Sequence, residues 1–223
     1  MLGLGRGKFS FPTQLAWAFR LPAKFAPCLP SADEVSGRIL IGGRPYFFPP
    51  YKEDLSHSLA STATQLILNP VLGFDHFHDE GGPSDEYYVG DGGIKISTAT
   101  TPWSVLHNSI FNTVVYDFVK SAATRNITRA AKERLFGVCF STKGVHWARA
   151  GPRVPAIDLE LEGKANWRIH GAYSTVKVDK NVMWLGFVNE GSNPRTPMVL
   201  GGLQFEDNLL EFDGIKLLRL ESS

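Results

Sequence analysis

Two kinds of hydrophobic periodicity divide the chain. From 157 to 162, isoleucine and leucine alternate with aspartate and glutamate, and a second alternating run passes through Trp167 and Ile169. Because successive side chains of a strand point to opposite faces of a sheet, this pattern predicts antiparallel strands with one face exposed to solvent. Gly163 and Lys164 are suited to the turn that would join them.

One stretch has the periodicity of an amphipathic helix. Between 108 and 123, Ile110, Val114 and Phe118 recur every four residues, and Asn108 is suited to cap the helix. The other apolar runs are short and are bounded by glycine or proline, so the sequence predicts a mostly β protein with one main helix. The further strand candidates are 38–43, 92–98, 174–178, 182–188, 198–202 and 209–213. Segment 70–92 has the composition of a loop, and we expect it to be the most mobile stretch.

Charge and length exclude several classes of function. The chain has 223 residues, with 23 basic and 22 acidic side chains and a net charge of +1. This balance predicts no attraction to nucleic acid or to an anionic membrane, since either would need a clustered basic field. No run approaches the roughly 20 apolar residues that span a bilayer, and the amino end lacks the apolar core of a signal peptide. As written, the chain is expected to stay in the cytosol.

The opening segment GLGRGK suggests a phosphate-binding loop, but its spacing is wrong. A Walker loop needs a glycine where this chain has Leu2 and a serine or threonine where it has Phe9. Nothing before these glycines can form the strand of a dinucleotide-binding fold. Nucleotide binding is therefore not expected.

A second motif offers potential metal ligands. His76 and His78 flank Phe77, with Asp75 and Asp79 outside them. On an extended segment both imidazoles would face one side, as some metal sites require. Because no further ligand group of matching character appears elsewhere, we interpret the segment as a solvated loop. Neither a metal nor another cofactor is expected.

Three other features have both structural and functional interpretations. Cys28 and Cys139 are too few for a disulfide framework and are interpreted as two buried thiols. Asn126 begins the sequence Asn-Ile-Thr, a glycosylation acceptor if the chain enters a secretory compartment. Arg149 lies beside Trp147 in the connection 141–155, where ordinary solvation explains basic residues. Recognition of a partner is the alternative, because Arg and Trp are enriched at interface hot spots.

Several segments together resemble a known family. They include GLGRGKFSFPTQLAWAF, SGRILIGGRPY, FGVCFSTKGV, VPAIDLEL and LGFVNEGSNPRTPMVLGGLQFEDNLLEFD. The chain resembles the plant family of secreted pepsin-like proteins without protease activity, which comprises xylanase inhibitors, extracellular dermal glycoproteins and basic 7S globulins. The resemblance runs through nearly the whole chain. It implies the C-terminal lobe of the pepsin-like acid-protease β-barrel fold, with the N-terminal lobe absent.

The resemblance also implies that the chain is no aspartic endopeptidase. Pepsin-like enzymes activate water between two carboxylates, one from an Asp-Thr/Ser-Gly loop of each lobe. The second loop should fall at 97–99, where Ser97, Thr98 and Ala99 stand instead, and no aspartate of the chain is followed by Thr or Ser and then Gly. A serine carries no negative charge at this position. We therefore expect no catalytic residues.

The chain departs from the family pattern at several places. Residues 1–24 resemble the end of the N-terminal lobe with the interlobe strand, and 25–223 resemble the C-terminal lobe, with an internal hairpin missing near Gly90. Trp184 stands where the family has the usual disulfide partner of Cys139, and the cysteine-bearing tail that would reach Cys28 is absent. These departures imply unpaired thiols and a truncated or decayed family member. They also imply an exposed interlobe surface that favours self-association.

The family implies a function in plant defence. A basic side chain on a rigid loop can enter the anionic cleft of a glycoside hydrolase, such as a microbial xylanase or xyloglucanase, and pair with its two carboxylates. By its place in the matching segment, Arg149 is the candidate, with Thr101 to Trp103 as a second contact loop. The alternatives are an aspartic endopeptidase, by fold naming only, and a storage or peptide-binding protein like the 7S globulins. The family is extracellular, in the apoplast and cell wall, whereas a signal peptide is not seen in this chain.

Overall fold

The computed structural model describes most of the chain and consists mainly of short strands, which confirms the predicted fold class. It describes residues 4–31, 34–47, 53–59, 64–67, 86–90, 93–97, 101–131, 137–148, 150–161, 166–214 and 216–219. The helices are α1 (Phe11–Phe19), α2 (Ser56–Leu59), α3 (Asn108–Ala123) and α4 (Gly171–Ser174). None of the described helices is both long enough and apolar enough to traverse a bilayer.

The strands are short, as the frequent glycines and prolines predicted. They are β1 (Phe25–Cys28), β2 (Arg38–Ile41), β3 (Thr64–Gln65), β4 (Tyr87–Val89), β5 (Ile94–Ile96), β6 (Ser104–Leu106), β7 (Cys139–Ser141), β8 (Trp147–Ala148), β9 (Gly151–Pro152), β10 (Ile157–Glu160), β11 (Asn166–Ile169), β12 (Thr175–Asp179), β13 (Val182–Leu185), β14 (Phe187–Asn189), β15 (Met198–Leu200), β16 (Leu210–Phe212) and β17 (Lys216–Arg219).

The chain forms two compact units. The first comprises 1–99, 161–165 and 205–223, and the second comprises 100–160 and 166–204. The first unit therefore contains residues from both ends of the chain. The boundary after residue 24 that the resemblance implies stays a prediction.

The first unit is built on a five-stranded sheet with the order β2-β1-β16-β17-β3. Its adjacent pairs are antiparallel, and β1 aligns with β2 from Phe25 opposite Ile41 to Cys28 opposite Arg38. Three buried rings pack together on this sheet, since Phe25 stacks on Phe212 with 4.9 Å between centroids and Tyr87 tilts against Phe212 at 4.7 Å. Burial of aromatic rings of this size contributes a large share of the unit's hydrophobic stabilisation.

Helix α1 was not predicted from periodicity. Its start nevertheless carries a sequence signal, because the Ser10 side chain accepts a hydrogen bond from the Thr13 amide and Pro12 lies in the first turn. Arg20 ends the helix in the left-handed conformation, with φ 54°. Pro12 and Ala16 are the buried residues of this helix, whereas its three aromatic residues are exposed, so its large apolar side chains do not repeat along one buried face.

The second unit confirms the two strongest sequence predictions. Strands β10 and β11 are antiparallel, with Ile157 opposite Ile169 and Asp158 opposite Arg168, and the acidic side chains of β10 face solvent. Helix α3 spans the predicted residues, although its cap is His107, whose ring accepts a hydrogen bond from the Ser109 amide. The prediction of Asn108 as the cap was therefore wrong by one residue.

The segment predicted as a loop from 70 to 92 contains a strand. Tyr87–Val89 form β4, which pairs antiparallel with β5 and is buried throughout. The loop prediction was wrong there, because a run of two tyrosines and a valine has high strand propensity that the surrounding polar residues obscured. Residues 70–85 and 91–92, with His76 and His78, lie outside the described residues.

Candidate functional site

The predicted contact loop from Thr101 to Trp103 is held by backbone hydrogen bonds. The amide of Gly202 donates to the Thr101 carbonyl oxygen at 2.8 Å, and the Leu203 amide donates to the Pro102 carbonyl oxygen at 2.9 Å. A Cβ atom on Gly201 would lie 2.3 Å from the Trp103 carbonyl oxygen, so this close approach of two backbones requires glycine. The loop is therefore rigid at its base.

A buried polar network extends from this loop to α4. Ser104 and Gln204 have no exposed surface. The Ser104 hydroxyl donates to the Gln204 side-chain carbonyl oxygen and accepts from the Gly201 amide at 3.0 Å. The Gln204 side-chain amide in turn donates to the Tyr173 carbonyl oxygen at 2.7 Å, and Tyr173 belongs to α4. Satisfied buried hydrogen bonds of this kind restrict the loop to one arrangement.

Arg149 lies outside the described residues, but the hairpin on either side of it is described. Strand β8 pairs antiparallel with β9, with Trp147 opposite Pro152. The Arg153 amide donates to the His146 carbonyl oxygen at 2.8 Å and extends the pairing by one step. Trp147 keeps 54% of its surface exposed, which is unusual for a large aromatic side chain on a paired strand.

The base of this hairpin packs on α4 at distances that only glycine permits. Gly151 has φ +86°, and a Cβ atom there would lie 2.3 Å from the Ala172 amide nitrogen. A Cβ atom on Gly171 would lie 2.0 Å from the Pro152 carbonyl oxygen, and the Ala172 amide donates to the Ala150 carbonyl oxygen at 3.0 Å. Both predicted contact segments are thus anchored on the same short helix. Sequence reasoning missed α4, and the glycines at 151 and 171 were the available signal.

Ser97 follows strand β5 in the first unit and is buried, with 7% of its surface exposed. The family resemblance predicts that Ser97 stands where a pepsin-like enzyme carries its second aspartate, and this assignment stays a prediction. Thr98 lies outside the described residues. A hydroxyl at this position can hydrogen-bond, but at physiological pH it cannot supply the shared negative charge of an aspartic dyad.

Asn126 lies in the turn that follows α3. It is exposed and has the left-handed backbone conformation, with φ 59°. Thr128, the hydroxyl residue of the acceptor sequence, is exposed as well. Exposure is what a glycosyltransferase needs, and the modification itself stays a prediction.

Cys28 and Cys139 both carry free thiols. Cys139 is buried in β7 and Cys28 is half-buried in β1. Burial raises the pKa of the Cys28 thiol, and the negative charge of Asp207 raises that pKa further. A raised pKa lowers the thiolate fraction, so Cys28 is a poor nucleophile.

Within the ranges that the structure describes, histidine, cysteine and carboxylate side chains do not gather in groups of three that could hold a metal ion. His76 and His78 fall outside those ranges. The candidate site thus consists of two segments, the loop 101–103, which is tied to α4 through Gln204, and the hairpin of β8 and β9, which contacts α4.

Family models and curated proteins both match this chain. A family model described as xylanase inhibitor C-terminal matches residues 84–216, and one described as xylanase inhibitor N-terminal matches residues 1–43. The probable aspartic proteinase GIP2 of Nicotiana benthamiana is 40% identical over 238 residues, covering 96% of this chain and 53% of that protein. Gamma conglutin 1 of Prunus dulcis is 35% identical over 231 residues, covering 95% of this chain and 49% of that protein.

The structural comparison agrees with the sequence comparison. The crystal structure of edgp matches with a TM-score of 0.91 at 38% identity, covering 100% of this chain and 59% of that chain. The chain thus spans about half the length of the curated relatives that it matches.

Proposed function

The chain belongs to the xylanase-inhibitor family of pepsin-like proteins, and on this premise we propose that it is a protein inhibitor of glycoside hydrolases that degrade plant cell walls. The partner classes are endoxylanases and xyloglucanases. One observation carries the proposal: the match to the xylanase inhibitor C-terminal model, over residues 84–216, includes both contact segments. We further propose that the protein acts in defence at the cell wall.

The chemistry of the target explains the choice of Arg149. Glycoside hydrolases place two carboxylates on either side of the scissile bond, and their cleft is therefore anionic. A guanidinium group can pair with a carboxylate through two parallel hydrogen bonds and so exclude the substrate. In this proposal, Arg149 supplies that group from the hairpin that β8 and β9 form.

The close packing of the hairpin on α4 favours tight binding. Gly151 packs against α4 with no room for a side chain, so the hairpin has little freedom to lose when it binds. Trp147, two residues before Arg149 in the sequence, adds an exposed aromatic surface, and Trp and Arg are the residues that most often dominate binding energy at interfaces. The Thr101 to Trp103 loop is proposed as a second contact.

Inhibition assays test this proposal directly. The purified chain is titrated into endoxylanase and xyloglucanase reactions, and at least one initial rate is expected to fall at micromolar concentration. Arg149→Ala is expected to weaken the inhibition about tenfold or more, because a desolvated charge pair is lost. Arg195→Ala, which removes an exposed arginine of another loop, is the control and should inhibit like the parent.

Two outcomes separate the claims. Unchanged rates for both enzyme classes would show that inhibition is not an activity of this chain. Inhibition that Arg149→Ala leaves intact would remove that residue and retain the function.

A second candidate is a storage or peptide-binding role, which the 35% identity to a gamma conglutin favours. Affinity capture from cell-wall extracts distinguishes it, because the captured partner would be a peptide or receptor and not a hydrolase. Proteolysis is disfavoured, although one relative is named a probable aspartic proteinase, because Ser97 offers no carboxylate. Pepstatin-sensitive cleavage of a denatured protein at acid pH would reverse that conclusion.

A further inference from the structure

Arg125 connects the end of α3 to the segment that follows the β8–β9 hairpin. Its Nη1 donates a hydrogen bond to the carbonyl oxygen of Val154 at 2.8 Å, across 29 positions of the sequence. Val154 is buried, with 5% of its surface exposed. Among the residues that the structure describes, the Arg125 guanidinium forms no ion pair with a carboxylate. Its hydrogen bond is therefore made to the backbone and not to an acidic side chain.

The backbone around Arg125 is fixed by the turn that ends α3. The Arg125 amide donates to the Ala122 carbonyl oxygen at 3.0 Å, and the Ile127 amide donates to the same oxygen at 3.0 Å. Ala122 and Ile127 are both buried. Because buried residues anchor the turn on either side of Arg125, its guanidinium extends from a fixed base and has less freedom to lose when it binds Val154.

Val154 lies in a short connection that has few backbone donors. It stands between Pro152 and Pro155 in the sequence, at positions 152 to 155, and a proline has no amide hydrogen. The Val154 amide donates to the Pro152 carbonyl oxygen at 2.8 Å, and within the described ranges the Val154 carbonyl oxygen accepts from Arg125 alone. A buried carbonyl oxygen that loses its donor is left unsatisfied, so this bond helps to determine where the connection lies.

Val154 is joined directly to the β8–β9 hairpin. The residue before it, Arg153, donates its amide hydrogen to the His146 carbonyl oxygen at 2.8 Å, which extends the pairing of β8 with β9. A Cβ atom on Gly171 would lie 3.1 Å from Cγ2 of Val154, so the Val154 side chain packs on α4. Val154 is therefore held twice, through its side chain by α4 and through its carbonyl oxygen by Arg125.

We propose that Arg125 is a positioning residue for the β8–β9 hairpin. By holding the Val154 carbonyl oxygen, it keeps Arg153 paired with His146 and restricts the hairpin to one arrangement. The consequence for inhibition rests on the proposed function, since this hairpin is the segment assigned to contact the hydrolase. A segment that is ordered before it binds loses less conformational entropy on binding. Arg125 acts through the backbone and has no assigned contact with the hydrolase.

Hydrogen exchange of the full chain, followed by NMR, tests the positioning. Arg125→Ala is expected to speed exchange of the Arg153 amide about tenfold, as the loss of one modest hydrogen bond allows. The Leu185 amide, which donates to the Val138 carbonyl oxygen elsewhere in the second unit, should exchange as in the parent. Arg125→Lys keeps a charged donor on a long side chain and should restore most of the protection.

The chain offers a matched control in Arg129, an exposed arginine four positions further along. Arg129→Ala removes the same charge and should leave exchange of the Arg153 amide unchanged. Unchanged exchange of that amide in Arg125→Ala overturns the proposal. Equal acceleration of the Leu185 amide overturns it as well, because that result would show a general loss of stability and not a local role in the hairpin.

Inhibition assays on the same variants test the consequence. Arg125→Ala is expected to weaken hydrolase inhibition about three- to tenfold, with Arg125→Lys close to the parent, because a loosened hairpin must be ordered on binding. Faster exchange of the Arg153 amide with unchanged inhibition would overturn the link between hairpin order and binding. If the parent inhibits no hydrolase, the proposed function fails, and the exchange rates by themselves decide whether Arg125 positions the hairpin.

Discussion

Trp184 lies directly opposite Cys139 in the antiparallel pairing of β13 with β7. Both side chains are buried, each with 1% of its surface exposed. The Trp184 ring meets the Trp103 ring edge-on, with 4.9 Å between their centroids and 83° between their planes. The indole thus fills the core at the position that the family resemblance assigns to a disulfide partner of Cys139.

This pairing predicts that Trp184→Cys will form a disulfide with Cys139. Directly opposed residues of an antiparallel pair have Cα atoms about 4.5–5.5 Å apart, which is within the range that a disulfide bridges. The loss of the indole costs about 3–5 kcal/mol, and the bridge returns about 2–4 kcal/mol, so the oxidised variant should be no more stable than the parent. Thiol titration of the denatured protein measures the bond.

The matched control for this variant is Trp184→Ser, which creates the same cavity without a thiol. Oxidised Trp184→Cys should be about 2–4 kcal/mol more stable than Trp184→Ser in denaturant unfolding. The predicted bridge leaves Cys28 as one titratable thiol, whereas three titratable thiols in the oxidised Trp184→Cys protein would contradict the register.

A second prediction concerns Arg44 and Glu211. Glu211 is buried, with 1% side-chain exposure, and two Arg44 nitrogens donate to its two carboxylate oxygens at 3.2 Å each. Arg44→Met leaves the buried carboxylate without this partner, so we expect a loss of about 1–3 kcal/mol in the free energy of unfolding. Lys24→Met, which removes a more exposed ion pair to Asp213 at 3.7 Å, should cost about 0–1 kcal/mol. Equal losses for the two variants would contradict the difference in burial.

A third prediction follows from the hydrogen bonds of Asp54. The Ser56 hydroxyl and the Ser56 and Tyr46 amides donate to its carboxylate. These bonds, the Ser56 hydroxyl above all, hold the pKa of Asp54 below its ordinary value. Because a depressed carboxylate pKa stabilises the folded state only while the group is ionised, this stabilisation is complete above the unfolded pKa of about 3.9. It is lost as the pH falls through the folded pKa.

Comparison of the parent with Asp54→Asn tests this pH dependence. The parent should be more stable at neutral pH, and the difference between the two unfolding curves should shrink as the pH is lowered below about 4. Asp117→Asn, on the exposed face of α3, controls for the loss of one charge. A difference that stays constant down to acid pH would show that the carboxylate charge is not the cause.

The fourth prediction compares two glycines with positive φ. Gly151→Ala places a methyl group against the Ala172 backbone, whereas a Cβ atom on Gly144, which has φ +76°, would meet no other atom within 4 Å. Gly144→Ala should cost about 1 kcal/mol from backbone strain, and Gly151→Ala should cost more and loosen the hairpin. Hydrogen exchange of the Arg153 amide measures the loosening, and equal effects at both sites would contradict packing on α4.

Periodicity predicted the elements whose burial is one-sided. Helix α3 and the pair β10–β11 each have one apolar and one polar face, so their patterns are visible in the sequence. Helix α1 and strand β4 escaped prediction, since α1 exposes most of its aromatic residues and β4 is buried on both faces. Neither element has a regular alternation of buried apolar and exposed polar residues, so neither has a periodic pattern in its sequence.

The candidate site was predictable as a set of residues but not as an arrangement. The family resemblance indicated Thr101, Trp103 and Arg149. It could not show that the first segment is tied through Gln204 to α4, or that the hairpin beside Arg149 packs on the same helix. These contacts join residues 19 to 100 positions apart, from Pro152 with Gly171 to Ser104 with Gln204, and local patterns carry no information about such pairs.

The sequence by itself determined the chemistry that is available. It set the balance of charge, a serine at position 97, and a total of two cysteines, which allows at most one disulfide within the chain. Those properties belong to residue identities and do not depend on conformation. Only the tertiary structure decided that Trp184 lies against Cys139 and that Glu211 is buried beside an arginine 167 residues away. The reason is that packing and burial depend on which distant segments meet, and this is set by the whole fold.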